Sequence, residues 1–137
     1  MDPEYGRQPL LSDDKEIIVA YNGEIYNQFD LRKKLIEQNV NFKSLSSDTE
    51  VVLKGYITWG EDLFKKIDGQ FAIVIIDLKK NKIIISRDKF GEKPVFYFVD
   101  EKKIIIGSEL KIYKEFKNLN LQINKTGVKK YFIYSFI

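Results

Sequence analysis

A short apolar stretch near the start of the chain ends in residues that could stabilise negative charge on an oxygen. Residues 17–21 predict a buried strand, and Asn22 and Gly23 follow them directly. Asn22 carries side-chain amide donors, and Gly23 offers a backbone N–H that no Cβ shields. Two such donors at the end of a rigid strand could hold the oxyanion formed when a carbonyl is attacked. The same residues are also typical of an Asn-Gly turn, so the local pattern leaves both interpretations open.

A second polar segment, residues 47–50, has the spacing of a capping box at the start of a helix. The Ser47 side chain would accept a hydrogen bond from the Glu50 N–H, and the Glu50 side chain would return to the Ser47 N–H. Asp48 then lies in the first turn, where the helix dipole stabilises a carboxylate. These features by themselves give Asp48 a structural role.

The composition excludes several kinds of chemistry. The 137 residues contain no cysteine and no histidine. This excludes disulfides, thiolate metal sites, a cysteine nucleophile in this chain and the most common general base. Any catalysis would have to use carboxylates, lysines, hydroxyls or a terminal amine.

Charge and hydropathy indicate a folded, soluble domain. Hydrophobic residues make up 44% and charged residues 31%, with a net charge of +3, which is not the composition of a disordered chain. The basic residues are scattered in lysine pairs rather than clustered with arginine, which argues against nucleic-acid binding. No apolar run approaches the ~20 residues of a membrane span, and no signal-peptide pattern opens the chain. We therefore expect a cytoplasmic protein with neither membrane nor nucleic acid as a partner.

Helices are predicted at both ends of the chain. After a surface loop at residues 1–14, in which Leu10 and Leu11 turn inward, the predicted helices are 27–38 capped by Asn27, 47–59 ended by Gly60, a turn at 61–67, a helix capped by Ser108 and one from Asn124 through Ile133. The residues expected on their buried sides are Leu31, Leu35, Ile36, Val52, Gly55, Tyr56, Trp59, Leu63, Phe64, Ile67, Leu110, Tyr113 and Phe116. The apolar ending at Phe136 and Ile137 suggests a chain that is cut rather than finished.

The middle of the chain has the period of strands. The predicted strands are residues 71–77, 82–87, 95–99 and 103–107, joined by tight turns and the loop 88–94. Such spacing predicts an antiparallel meander. Because these strands are apolar on both faces, we expect an α+β protein in which sheet packs on sheet with helices outside.

Five stretches that occur in order resemble one family. They are residues 22–27, 47–51, 68–72, 87–94 and 108–111. Together they are similar to the class II glutamine amidotransferase domain of glutamine-hydrolysing asparagine synthetase, and the resemblance covers essentially the whole chain. It implies the four-layer αββα sandwich of N-terminal-nucleophile hydrolases.

The resemblance also implies a chemistry. In that family an N-terminal cysteine attacks the side-chain amide of glutamine with its own α-amine as base, and the ammonia travels to a second domain where ATP activates aspartate. Asn22 and Gly23 would form the oxyanion hole, Glu24 would line the glutamine site, and Asp48 would bind the α-ammonium of glutamine. A charge-assisted contact of that kind selects a free amino acid over a peptide.

Two further matched stretches have a less definite meaning. The loop 88–94 and the pair Ser108-Glu109 fit a stiff connection and a helix cap at least as well as a catalytic role. We expect Arg87 and Asp88 to pair and to fix the loop.

The chain departs from the family at its start. The family begins Met-Cys-Gly, whereas this chain begins Met1-Asp2-Pro3. Neither the Met1 thioether nor the Asp2 carboxylate can replace the nucleophilic thiol. The resemblance therefore implies that residues 1–137 are a partial, N-terminally incomplete amidotransferase domain without the nucleophile, the arginine that grips the substrate carboxylate, or the synthetase domain.

Several expectations follow from this departure. The chain alone should not hydrolyse glutamine, and it should be poorly stable because sheet edges stay unpaired. It should hold no cofactor, since ATP and Mg belong to the synthetase domain of the family. Two functions remain open. One is a part of asparagine synthetase, with glutamine and a synthetase domain as partners and a possible homodimer in the full-length family; the other is a non-catalytic glutamine-binding module.

Overall fold

A computed structural model describes residues 7–116, 119 and 122–135 of the chain. Its strands are β1 (Leu10–Leu11), β2 (Ile17–Ile25), β3 (Gly69–Asp77), β4 (Lys82–Arg87), β5 (Phe96–Val99) and β6 (Ile104–Gly107). Its α-helices are α1 (Gln28–Ile36), α2 (Asp48–Trp59) and α3 (Lys125–Tyr134), and its 3₁₀ helices are η1 (Gly60–Lys65) and η2 (Leu110–Glu115). The order of elements is that of an α+β protein, as predicted.

The strands form two antiparallel sheets. The first has the order β1-β2-β3-β4, and the second is the hairpin β5-β6. The predicted single meander is therefore wrong between β4 and β5, where the chain crosses from one sheet to the other. A cavity of about 400 Å³ lies between the sheets, with Val74 and Ile83 on one side and Ile104 and Ile106 on the other. The predicted packing of sheet on sheet is confirmed.

Helices cover the outer faces of both sheets. Alternation along β2 directs Val19, Tyr21 and Ile25 into the core under α1 and α2. On the other side, η2 packs on the second sheet, where the rings of Phe98 and Tyr113 lie 6.5 Å apart. The described layers are thus helix, sheet, sheet and a short 3₁₀ helix.

The helix α2 carries most of the core-facing side chains of its layer. The predicted stripe is confirmed, since Val52, Gly55 and Tyr56 are buried and Trp59 packs at the margin of the core. Gly60 ends the helix with φ 59°, as predicted. Ile36 at the end of α1, by contrast, is 56% exposed, so its predicted burial is wrong.

The Asn-Gly turn does not form. Strand β2 continues through Asn22 and Gly23 to Ile25, and Gly23 stands opposite Phe71 of β3. Nine consecutive residues of β2 pair with β3. This tertiary pairing overrides the local turn preference, so the predicted strand end at Tyr21 is wrong.

Of two asparagines predicted to cap helices, one does so and the other does not. Asn27 does precede α1, but its side chain donates to the Lys66 carbonyl at 2.8 Å and accepts from the Asp68 N–H at 3.0 Å instead of capping the helix. Asn124 caps α3 as predicted, since its side chain accepts from the Gly127 N–H at 3.0 Å. Asn27 therefore ties α1 to the segment before β3.

The C-terminal third is less well covered. The helix expected after Ser108 is the short 3₁₀ helix η2, and Leu110 and Phe116 at its ends are exposed, so their predicted burial is wrong. The apolar residues of α3 are also exposed, Phe132 to 81%. The predicted abrupt ending at Phe136 and Ile137 lies outside the described residues.

Near the other end, Leu10 is half-buried against the core and Leu11 is exposed. The inward turn predicted for this pair is therefore confirmed for Leu10 only. No helix in the described ranges is long and apolar enough to cross a membrane.

Candidate functional site

A cleft of about 350 Å³ opens between the end of β2 and the start of α2. Its walls include Asn22, Gly23, Glu24 and Asp48, the four residues singled out in the sequence. The fold thus brings the end of a strand and the first turn of a distant helix to one place. The other lining residues are Gln8, Tyr21, Gln28, Ser46, Ser47 and Thr49.

Asn22 reaches from the first sheet to the second. Its side chain is exposed, and its Nδ2 lies 3.4 Å from Ser108 Oγ, just beyond β6. A bond of that length is near the limit for a hydrogen bond. The amide donors of Asn22 are therefore held only weakly and can be exchanged to a ligand oxygen.

The direction of the Gly23 N–H follows from the bonds of its partner Phe71. The Phe71 N–H donates to Asp88 Oδ2 at 3.3 Å, and the Phe71 carbonyl accepts from the Asp88 N–H at 2.8 Å. Both backbone groups of Phe71 thus point away from β2, which makes Gly23 and Phe71 a non-hydrogen-bonded pair. The Gly23 N–H must point to the opposite edge of β2, where the cleft lies.

Only glycine fits at position 23. Its φ is +154°, and an added Cβ would lie 2.1 Å from the Gln70 carbonyl oxygen and 2.7 Å from the Phe71 Cα. A side chain here would push β2 away from β3. The bare N–H at the cleft and the close approach of the strands therefore depend on the same missing Cβ.

Gln8 fixes the strand at the residue before the site. It lies beyond the end of β1, at the position that continues the register Leu10↔Val19 to Tyr21. Its side-chain amide accepts from the Tyr21 N–H at 2.5 Å and donates to the Tyr21 carbonyl at 2.6 Å. Gln8 thus takes the place of a backbone partner at the sheet edge, where β1 has ended.

Asp48 meets the sheet through Tyr21. The Tyr21 hydroxyl donates to Asp48 Oδ2 at 2.7 Å. Tyr21 is buried, and this burial, together with the bond to Asp48, raises the pKa of its hydroxyl far above its usual range. Tyr21 therefore stays a protonated donor at any ordinary pH.

The loop before Asp48 is anchored from both sides. The buried Arg32 guanidinium donates to the Ser44 carbonyl at 2.7 Å and the Ser47 carbonyl at 2.9 Å. Glu50 accepts from the N–H groups of Lys43 and Ser44, each at 2.8 Å. These bonds set the position of the first turn of α2 and so of Asp48.

The capping box forms only in part. Ser47 Oγ accepts from the Glu50 N–H at 3.3 Å, as predicted. The Glu50 side chain does not return to the Ser47 N–H, which donates to Ser44 Oγ at 2.9 Å instead. Burial lowers the pKa of the Arg32 guanidinium, and the nearby Glu50 carboxylate opposes that change. Both charged side chains hold the loop before Asp48.

The loop between the sheets is structural. The Asp88 carboxylate accepts from the N–H groups of Phe90, Glu92 and Lys93 at 2.9 to 3.1 Å, besides that of Phe71. Burial raises the pKa of Asp88, but these N–H groups outweigh it and lower the pKa to about 2. Asp88 thus holds the loop through the backbone.

Arg87 fixes the same loop by separate bonds. It donates to the carbonyls of Gly91 and Lys93. Across the described residues, the ion pairs do not include one between Arg87 and Asp88. Their predicted pairing is therefore wrong, whereas the predicted fixing of the loop is confirmed.

The cleft has an acidic character. Glu24 and Asp48 are its charged lining residues, and none of its described lining residues is basic. Within the described ranges, no three His, Cys, Asp or Glu side chains come together in a way that could hold a metal ion. The cleft is therefore suited to an organic cation such as an ammonium group, with hydrogen-bond donors at its Asn22 end.

Six lining residues were not predicted as part of the site, and three of them, Gln8, Tyr21 and Gln28, lie outside the segment around Asp48. Gln8 could be found only from the register of β1, and Tyr21 was taken as part of an apolar run. Gln28 opens α1, and its amide oxygen is buried without a hydrogen-bond partner among the described residues. The alternation of β2 was the one available signal, because it places the Tyr21 hydroxyl on the same face as the core.

The whole chain, residues 1–137, matches the family model described as a glutamine amidotransferase domain. The chain belongs to this family. The amidotransferase domain is 37% identical over 134 residues to asparagine synthetase [glutamine-hydrolyzing] 3 of Bacillus subtilis, covering 96% of this chain and 22% of that protein. It is 42% identical over 127 residues to putative asparagine synthetase [glutamine-hydrolyzing] 2 of Methanocaldococcus jannaschii, covering 91% of this chain and 24% of that protein.

The amidotransferase domain thus spans about a quarter of the length of these relatives. It also resembles the solved glutamine phosphoribosylpyrophosphate amidotransferase of B. subtilis, with a TM-score of 0.65 and 23% identity over 78% of this chain and 25% of that one. This likeness confirms the predicted fold class. The family resemblance inferred from the five stretches is confirmed as well.

Proposed function

We propose that this amidotransferase domain binds glutamine in the cleft between β2 and α2. The observation that supports the proposal is the convergence of donors and carboxylates there. Asn22 and the Gly23 N–H lie at one end, and Glu24 and Asp48 supply negative charge. A free amino acid with an amide side chain carries the complementary groups, an ammonium at one end and a polarisable carbonyl at the other.

The roles of the residues follow from their chemistry. The α-ammonium of glutamine binds the Asp48 carboxylate, with Glu24 adding to the attraction. The side-chain carbonyl oxygen lies against the Asn22 amide and the Gly23 N–H. The hydrogen bonds from these donors would strengthen as that oxygen gains negative charge during attack. The loss of one donor typically costs roughly 3 kcal/mol of transition-state stabilisation.

The nucleophile is not among the residues of this chain, since the chain contains no cysteine. We propose that the chain by itself binds glutamine without releasing ammonia. A thiol from outside this sequence would complete the reaction. On this ground we propose that residues 1–137 are an N-terminally incomplete amidotransferase domain.

The larger role proposed is that of the ammonia-supplying part of a glutamine-dependent asparagine synthetase. It is supported by relatives of that name over more than nine-tenths of this chain. A synthetase region would be the partner, and a cytoplasmic location and a homodimer of the full assembly belong to the same proposal. ATP and magnesium belong, in this proposal, to the synthetase region.

A second candidate is a glutamine-binding module without catalysis. The observation that favours it is the presence of the four predicted cleft residues in a chain without cysteine. The two candidates differ in ammonia release. They are separated by supplying the missing segment of a relative, which begins Met-Cys-Gly, as a separate polypeptide.

Titration calorimetry of the 137-residue chain with glutamine tests the proposal. We expect binding that Asp48→Asn weakens by about tenfold or more, because a charge-assisted contact is lost. Asp30→Asn is the matched control, since Asp30 also lies in the first turn of a helix but not in the cleft. Absence of binding at millimolar glutamine, or equal losses in both variants, would overturn the proposal.

A further inference from the structure

Tyr21 connects the sheet to the acidic end of the cleft. Its hydroxyl donates to Asp48 Oδ2 at 2.7 Å, although the two residues are 27 positions apart. No other side-chain hydrogen bond to Asp48 occurs among the described residues, so the Oδ1 atom is left for a ligand. We propose that Tyr21 is a positioning residue that holds the Asp48 carboxylate in the orientation that receives the α-ammonium of glutamine.

This inference rests on the proposed glutamine site and adds a residue to it. The backbone that carries the Tyr21 hydroxyl is held on both sides. Tyr21 is 8% exposed, pairs with Ile73 of β3 on one side, and is bonded through both backbone groups to Gln8 on the other. A donor held in this way removes rotational freedom from the carboxylate it binds, and less entropy is then lost when the ligand binds.

The Tyr21 hydroxyl lies on the core-facing side of β2, which is otherwise apolar. Ile17, Val19 and Ile25 are the other buried side chains of that face, and all are aliphatic. A phenol there must find a hydrogen-bond partner, because an unpaired buried hydroxyl destabilises the fold. Asp48 provides this partner and remains half-buried, so a ligand in the cleft can still reach it.

A second tyrosine–aspartate pair in the same protein shows the contrast. The Tyr56 hydroxyl donates to Asp77 Oδ2 at 2.8 Å, and each of these side chains is only 2% exposed. Asp77 also accepts from the Lys80 N–H at 3.0 Å and does not line the cleft. The Tyr56 pair therefore serves stability alone, whereas the Tyr21 pair faces a ligand site.

The role predicts a specific loss. Without the hydroxyl, the Asp48 carboxylate keeps its charge but not its orientation, so only ligands that carry the α-ammonium should suffer. Tyr21→Phe should therefore weaken glutamine binding by about five- to tenfold, which lies within the range expected for the net contribution of a typical hydrogen bond. Binding of 4-carbamoylbutanoate, which is glutamine without its amino group, should stay unchanged.

Calorimetry of the 137-residue chain with both ligands tests this, using Tyr21→Phe, Asp48→Asn, the double variant and Tyr56→Phe as the matched control. We expect the double variant to bind glutamine no more weakly than Asp48→Asn, and Tyr56→Phe to change neither ligand. Equal weakening of both ligands by Tyr21→Phe indicates a merely structural role and overturns the inference. Unchanged glutamine binding in Tyr21→Phe, with a loss in Asp48→Asn, overturns the inference but not the proposed function.

A wild-type measurement covers the case in which Tyr21→Phe does not fold. In protein labelled with ¹³C at the tyrosine Cζ atoms, glutamine should shift the Tyr21 resonance and leave that of Tyr56 in place. The same titration with 4-carbamoylbutanoate should give a smaller shift of Tyr21. Saturation with glutamine without any Tyr21 shift contradicts the inference, whereas absence of glutamine binding contradicts the proposed function itself.

Discussion

Gln8 makes with its side chain both hydrogen bonds that a neighbouring strand would make to Tyr21, at 2.5 and 2.6 Å. The edge strand β1 begins at Leu10, two residues after Gln8. A side-chain amide has the same donor and acceptor as a peptide group, so it can continue a ladder without continuing the strand. The edge of β2 is thereby supported up to the residue before Asn22.

Gln8→Ala should remove both bonds and leave the backbone of Tyr21 without partners at the sheet edge. We expect the free energy of unfolding to fall by roughly 1–3 kcal/mol, measured by urea denaturation. Gln122→Ala, which changes an exposed glutamine, should change it by less than about 0.5 kcal/mol. A stability of Gln8→Ala equal to that of the control would show that water replaces the amide at no cost.

Gly23→Ala should separate β2 from β3, because the new Cβ would lie 2.1 Å from the Gln70 carbonyl oxygen. We expect a loss of about 2 kcal/mol or more in the free energy of unfolding. Gly60→Ala is the control, since Gly60 has φ +59° but no atom within 4 Å of its added Cβ. It should lose less than Gly23→Ala, about 1–3 kcal/mol, because only its backbone conformation (φ 59°, ψ −138°) is unfavourable for a residue with a side chain. A Gly60→Ala loss as large as that of Gly23→Ala would mean that the close strand approach is unimportant.

Asp88 should make stability depend on pH in the acid range. Backbone N–H groups hold its folded-state pKa at about 2, below the 3.8 of the unfolded chain. A lowered carboxyl pKa stabilises the fold above the unfolded pKa, and this stabilisation is lost as the pH falls through the folded value. The urea midpoint of the wild type should therefore fall between pH 4 and pH 2, and Asp88→Asn should be less stable at pH 7 with a flatter profile.

Asp62→Asn is the comparison for this pH dependence. Its carboxylate pairs with Lys65 at 2.7 Å on the exposed surface, where ion pairs contribute little. Its profile should stay close to that of the wild type. A parallel decline of Asp88→Asn and wild type between pH 4 and pH 2 would exclude Asp88 as the cause.

Arg32→Lys should loosen the loop before Asp48, because an ammonium cannot reach the Ser44 and Ser47 carbonyls with the fixed fork of a guanidinium. We expect weaker glutamine binding by several-fold together with a loss of about 1–3 kcal/mol in the free energy of unfolding. Calorimetry and urea denaturation measure the two effects. Lys34→Arg on the exposed side of α1 is the control and should change neither. Normal binding in a destabilised Arg32→Lys would separate the loop anchor from the site.

Local patterns in the sequence predicted the elements better than their ends. The stripe Val52, Gly55 and Tyr56 was correct because helix periodicity is a local property of the chain. The end of β2 was wrong because pairing with β3 decides it, and that pairing depends on residues about fifty positions away. The crossing between the sheets was also missed. The bonds from the N–H groups of Phe90, Glu92 and Lys93 to Asp88 that turn the chain there are local, but residue types alone do not show which sheet the next strand joins.

The residues of the candidate site also differ in whether the sequence predicted them. Asn22, Gly23, Glu24 and Asp48 were predicted because a family resemblance named them, and the fold places all four around one cleft. Their roles toward glutamine stay predictions. The contacts of Gln8 and Tyr21 depend on strand register and on a bond across 27 residues. The alternation of β2 was the one local signal for Tyr21, and Gln8 had none. The expected poor stability of the chain alone also stays a prediction, which a cooperative melt at an ordinary temperature would contradict.

The contact between Asn22 and Ser108 joins two sheets that share no backbone hydrogen bonds in the described part of the chain. The aim of the Asn22 amide is therefore set by the spacing of the sheets as well as by its own strand. Sheets in contact only through side chains can slide or tilt more easily than paired strands. A change in the distance between the sheets would therefore alter the alignment of the Asn22 amide with a carbonyl in the cleft.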